Sequence, residues 1–66
     1  MTLKVNGEVI TCNEGATLAQ LITTLNLEGK VMAAAVNMNI VKQDQWPQHR
    51  LGENDTVELL DFVGGG

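Results

Sequence analysis

Thr17-Leu18-Ala19-Gln20-Leu21-Ile22-Thr23-Thr24-Leu25 is the stretch on which the fold turns. A Thr followed three residues later by a Gln has the capping-box spacing: each side chain satisfies a backbone N–H that the first turn of a helix leaves without a partner. A helix is therefore expected to begin after Thr17. Its apolar positions, Leu18, Leu21, Ile22 and Leu25, follow the i, i+3, i+4, i+7 pattern of a single buried stripe, and Asn26 or Gly29 is placed to end it. A helix with one apolar stripe packs on one layer, here a sheet, so the segments on either side decide the architecture.

Upstream, Leu3 and Val5 alternate with polar neighbours, Asn6-Gly7 follows, and Val9-Ile10-Thr11-Cys12 is rich in β-branched residues. Asn-Gly between two such runs tolerates the paired positive φ angles of a type I′ turn, so residues 2–12 are predicted to form an antiparallel hairpin. Downstream, the small apolar run Val31 to Val36 reads as a strand buried on both faces; its alanines would also suit a helix, but its length favours the strand. Asn37-Met38-Asn39 reads as a turn, Ile40-Val41 as a short edge strand, Gln43 to Leu51 as an irregular or 3-10 stretch around Trp46-Pro47, and Gly52-Glu53-Asn54-Asp55 as another turn. The last strand, Thr56 to Phe62, carries Val57 and Leu59 on one face but Leu60 and Phe62 on the other. That second apolar face is either covered by a neighbouring loop or offered as a docking patch.

The order strand, strand, helix, strand, short strand, strand is an α+β arrangement, with one main helix packed across a mixed four- to five-stranded sheet. This is the β-grasp, or ubiquitin-like, layout. It assigns residues 1–62 to the folded domain and 63–66 to a flexible C-terminal glycine tail.

Bulk properties agree with one small domain, because a 66-residue chain removes only about 60% of its unfolded surface from water. With 44% apolar and 18% charged residues, the chain falls outside the polar, highly charged composition of disordered proteins. The net charge of −4 has the wrong sign for neutralising nucleic-acid phosphates or adsorbing to anionic membranes, and favours a protein partner with a basic groove. Its longest apolar run is far short of the roughly 20 residues of a membrane-spanning helix. The opening Met1-Thr2-Leu3-Lys4-Val5 does not read as a secretory leader. A cytoplasmic protein, monomeric when free, is the expectation.

No conventional catalytic constellation is visible. A single histidine, His49, and a single cysteine, Cys12, exclude a zinc site of Cys and His by count, and neither a metal nor a bound cofactor is expected. Cys12, in a predicted strand, reads as a small buried apolar residue; His49 reads as an exposed loop residue. Trp46 reads as a cover for one edge of the core with its N–H bonded outward. Glu53, Asp55, Glu58 and Asp61 lack the ligand pattern of a calcium loop and read as a solvated acidic face that would steer a basic partner.

That leaves Gly64-Gly65-Gly66. Three residues without side chains cannot pack, and their lack of bulk lets a tail enter a narrow enzyme channel and lie over a nucleotide. A terminal carboxylate is ionised at neutral pH and able to attack the α-phosphate of ATP. A linker or frayed end is the plain alternative. Against it, only Phe62-Val63 separates these glycines from a core strand in a β-grasp-like chain.

The sequence resembles the ThiS family of sulfur carriers of thiamine biosynthesis along essentially its whole length. The resemblance is carried by Leu3-x-Val5 with Asn6-Gly7, the helix containing Leu21, Ala35-Val36-Asn37, Ile40-Val41, Gln45-Trp46, Gly52-x-x-Asp55-x-Val57 and Phe62-Val63-Gly64-Gly65-Gly66. It implies that an adenylating enzyme similar to ubiquitin-activating enzymes uses ATP to form an acyl-adenylate on Gly66. A persulfide sulfur donor then replaces AMP, and the resulting thiocarboxylate passes its sulfur to thiazole phosphate synthase. By the same resemblance Gly66 is the modified residue, Gly64 and Gly65 thread into partner sites, and Leu60, Phe62 and Val63 contact the partner. Three other readings fit much of the pattern: the small subunit of molybdopterin synthase, a non-covalent β-grasp binding module, and a protein-conjugating ubiquitin-like modifier.

Overall fold

Strands β1 (Thr2–Val5) and β2 (Glu8–Thr11) pair antiparallel around Asn6-Gly7, whose φ angles of 49° and 86° make the two left-handed positions of the predicted turn. Cys12 falls just past β2. Its N–H donates to the Met1 carbonyl and its carbonyl accepts from the Met1 amino group, both at 2.9 Å, which pins the open end of the hairpin. The half-buried thiol side chain rests against the core.

The capping box forms as the spacing requires. The Gln20 N–H donates to Thr17 Oγ1 at 3.2 Å and the Thr17 N–H donates to Gln20 Oε1 at 2.9 Å, launching α1 (Leu18–Thr24). At the other end Asn26, not Gly29, is the stop. Its φ is 60°, its N–H bonds the Thr23 carbonyl and the Leu27 N–H bonds the Ile22 carbonyl, both at 3.0 Å, the paired closure of a Schellman motif.

The computed structural model describes residues 1–61; Phe62, Val63 and Gly64–Gly66, and with them the expected boundary between domain and tail, lie outside the described residues. After α1 come β3 (Val31–Val36), β4 (Asn39–Val41), a 3-10 helix (Gln43–Gln48) and β5 (Thr56–Asp61). The five strands make one mixed sheet in the order β2-β1-β5-β3-β4, in which β1 and β5 run parallel and the other pairs antiparallel. Leu18, Leu21 and Ile22 of the helix share one core with Leu3, Val5, Ala34, Val36, Val57 and Leu59 of the sheet. This is the β-grasp arrangement.

Two expectations need correcting. β3 is not buried on both faces: Val31, Ala34 and Val36 are buried, but Met32 is exposed and Ala33 and Ala35 are only half-buried. The helix supplies a layer on one side only, and a bulge between Val31 and Ala33 resets the alternation. Trp46 does cover a core edge, but its indole N–H donates at 2.9 Å to the Val41 carbonyl of β4 instead of bonding outward. A buried indole N–H needs an acceptor, and the 3-10 helix directly after β4 brings it to that strand's end.

The acidic cluster also divides. Glu53 Oε1 accepts the Thr2 N–H at 2.9 Å, and Asp55 accepts the Gly52 N–H at 2.7 Å and the Asn37 side-chain amide at 2.9 Å. Asn37 Oδ1 in turn accepts the Thr56 N–H at 2.9 Å, which ties the β3–β4 turn to the start of β5. These two carboxylates serve the fold. Of the four acids, Glu58 keeps the solvated role among the described side chains.

Candidate functional site

The face of the sheet opposite the helix is where β5 carries its second set of side chains. Val57 and Leu59 point into the core, so Glu58 and Leu60 point the other way. The register sets Leu60 opposite Ala33, Glu58 opposite Ala35, and Ala35 opposite Ile40 on β4. Leu60 and Ile40, 58% and 74% exposed, thus stand on either side of two alanines whose short side chains leave a shallow apolar depression, bordered by Asn6 and Glu58.

Leu60 is the one candidate contact residue that the described structure places, and it lies in the open. Phe62 and Val63, the other two, and Gly64, Gly65 and Gly66 lie outside the described residues. Ile40 was not singled out from the sequence. The signal was there: Asn37-Met38 forms a two-residue turn with φ angles of 51° and 71°, which fixes Ala35 opposite Ile40, and Val41 already occupies the core face. A side chain as large as Met38 in that conformation costs about 1–2 kcal/mol, so the strict register is maintained against local strain. Neither Cys12 nor His49 borders the depression. His49 is half-buried, with its carbonyl accepting the Leu18 N–H at 2.9 Å.

Asn6 does more than turn the hairpin. Its own N–H donates to the Val57 carbonyl at 2.9 Å, its side-chain Oδ1 accepts the Leu59 N–H at 2.8 Å, and its Nδ2 donates to the Leu59 carbonyl at 3.2 Å. The side chain takes the place that the next strand residue would occupy in a parallel ladder. β1 has already turned away at this point, so the amide continues the β1–β5 pairing by one step.

Among the described residues, the geometry is thus a folded body whose sheet face opposite the helix is left uncovered around Leu60 and Ile40, and in sequence β5 is followed by the glycines. A family model for the ThiS family matches residues 3–66. The chain belongs to the ThiS family. It is 30% identical to the sulfur carrier protein ThiS of Escherichia coli K12, with both proteins covered in full. A crystal structure of the thiamine biosynthesis protein ThiS from Geobacter metallireducens, 27% identical, superposes over the whole of both chains with a TM-score of 0.82. The chain is also 29% identical over its full length to 20% of a thiazole synthase of Paramagnetospirillum magneticum.

The protein is accordingly a sulfur carrier of thiamine biosynthesis, acted on by enzymes and not itself a catalyst. Of the readings carried from the sequence, this is the one that the comparisons support. Among the described residues no helix is long and apolar enough to cross a membrane.

Proposed function

We propose that this sulfur carrier works through the carboxylate of Gly66, with residues 1–62 as the docking body and 63–66 as the arm. In a partner resembling ubiquitin-activating enzymes, a carboxylate oxygen of Gly66 attacks the α-phosphate of ATP, pyrophosphate leaves, and an acyl-adenylate forms. The outer sulfur of a donor persulfide displaces AMP and forms the new carbon–sulfur bond of an acyl disulfide. A thiol then attacks the donor-side sulfur, the S–S bond that came with the persulfide breaks, and a disulfide on the donor and a terminal thiocarboxylate on Gly66 are left. Gly64 and Gly65 fit a narrow channel because they lack side chains, and an unsubstituted terminal residue leaves the carbonyl carbon open to sulfur. Leu60, Phe62 and Val63 contact the partner. The cycle would run in the cytoplasm, where thiols are kept reduced and can open the acyl disulfide.

The observation that carries this reading is the continuity of the uncovered Leu60–Ile40 face with the strand leading to the glycines. Docking of that face makes delivery of the terminus an intramolecular step. Thiazole phosphate synthase is the proposed acceptor. In support, a thiazole synthase contains within one polypeptide a stretch similar to this whole chain. Joining carrier and acceptor replaces a bimolecular encounter by a high effective concentration.

The test is incubation of the full chain with its activating enzyme, ATP and a persulfide source, followed by mass spectrometry. One oxygen of Gly66 should be exchanged for sulfur. Oxidation of Met1, Met32 or Met38 gives almost the same mass increment, and Met32 and Met38 are exposed, so fragmentation must locate the change. A variant extended beyond Gly66 should be inert. Sulfur located anywhere other than the last residue, or charging of the extended variant, would overturn the proposal.

A further inference from the structure

We infer that Asn6 is a positioning residue for the reactive arm: its side chain clamps Leu59 and so fixes the point from which residues 60–66 extend toward the partner's nucleotide site. The inference rests on the reading of Gly66 as the charged group.

β5 is held differently on its two sides. Toward β3 its pairing runs on through Leu59, Leu60 and Asp61, interrupted only by the bulge at Met32. Toward β1 the strand pairing stops at Val57, and what holds Leu59 on that side is the Asn6 amide, with one bond to its N–H and one to its carbonyl. Both contacts come from a turn residue 53 positions away in the chain. A turn needs only the left-handed backbone that Asn and Gly adopt. The side chain is aimed at β5 for a purpose that the turn does not require.

The seven residues from Leu60 to Gly66 span at most about 25 Å when fully extended. With the body docked and so few residues to reach the nucleotide, the arm has little slack to absorb a displaced root, and the reacting atoms must meet within a few tenths of an ångström. Misplacement by about 1 Å can cost on the order of a hundredfold in rate. Asn6 borders the depression beside Leu60, but the docking side chains of Leu60 and Ile40 are set by their pairing with β3, which loss of the clamp leaves in place.

Two variants separate this role from turn formation. Asn6→Gly keeps the left-handed backbone and removes both bonds to Leu59. Gly7→Ala keeps the clamp but strains the turn, because Gly7 has φ +86° although its added Cβ would meet nothing within 4 Å. Each full-length variant is titrated with the activating enzyme and then assayed for acyl-adenylate formation in a single turnover at saturation.

Asn6→Gly should form adenylate about tenfold more slowly with an unchanged dissociation constant. Its Leu59 amide should exchange with solvent at least tenfold faster, while the Lys4 amide, bonded to the Asp55 carbonyl at 3.0 Å in the same β1–β5 pairing, should not change. Gly7→Ala should melt at a lower temperature yet charge at the wild-type rate. An Asn6→Gly protein that folds and charges as fast as wild type overturns the inference, as does a Gly7→Ala protein slowed to the same degree. Failure of the wild-type chain to be adenylated on Gly66 would instead overturn the underlying functional reading.

Discussion

Leu60→Ala isolates the docking role of the open face. Moving a leucine side chain fully from water into an apolar contact is worth about 1.5–3 kcal/mol. Leu60 keeps 58% of its surface exposed in the free protein. A partner that covers it therefore gains about 0.9–1.7 kcal/mol, and since alanine retains part of that area the loss should be about 1 kcal/mol. By RT ln Kd this is about a fivefold weaker complex. Because the side chain contributes to docking more than to the core, folding stability should change by no more than about 0.5 kcal/mol. For a domain of this size the thermal midpoint then moves by less than about 4 °C.

Calorimetric titration against the activating enzyme gives the first quantity and a melting curve the second. The single-turnover rate at saturation should be that of the wild type, since the substitution leaves the Asn6 bonds to Leu59 and the backbone leading to Gly66 in place. Leu60→Asp should weaken the complex further, by placing a charge in the apolar contact. Unchanged dissociation constants for both variants, with both proteins folded, would remove this face from the docking surface.

The remaining predictions concern the frame that presents the site. Thr17→Ala removes one half of the capping box and should cost about 1 kcal/mol, seen as a fall in melting temperature of roughly 4–8 °C, with binding to the activating enzyme unaltered. A Thr17→Ala midpoint equal to wild type would mean the cap contributes nothing. Asp55→Ala leaves the Gly52 N–H and the Asn37 amide without their acceptor and should cost about 1–2 kcal/mol in denaturant titration. Glu58→Ala, on the solvated face, should stay within about 0.5 kcal/mol, and equal losses for the two would contradict the division of the acids.

Much of the architecture was legible because its signals are local. The capping box, the Asn-Gly turn and the phase break at Leu60 each depend on residues within a few positions of one another, and each appears in the structure as read. The misreadings share the opposite property. A run such as Met32-Ala33-Ala34-Ala35 states that a strand is apolar, but not how many layers cover it, and alanine is small enough to sit half-exposed without penalty. Counting carboxylates gives a charge, whereas the bonds of Glu53 to Thr2 and of Asp55 to Asn37 join segments 51 and 18 residues apart. Asn6 was recognised for its backbone and missed for its side chain, because the Leu59 groups it meets are set by the parallel pairing of the first and last strands.

That pairing links the fold to the task. In the proposed cycle the carrier is charged by one enzyme and discharged by another and must release each, so its contact face has to be usable yet not permanently satisfied. A β-grasp with one helix meets this condition directly: the helix seals one side of the sheet, and the other side keeps Leu60 and Ile40 in water around a floor of alanines. Such a face risks self-association, and the net charge of −4 opposes it. Since β5 supplies both Leu60 and the route to the glycines, and β1 borders β5 in parallel, the hairpin turn falls beside the strand's exit, where a single amide steadies it. Affinity should therefore respond to Leu60 and Ile40, and the charging rate to Asn6. A variant at either place that shifted both quantities together would show that docking and delivery are not separable.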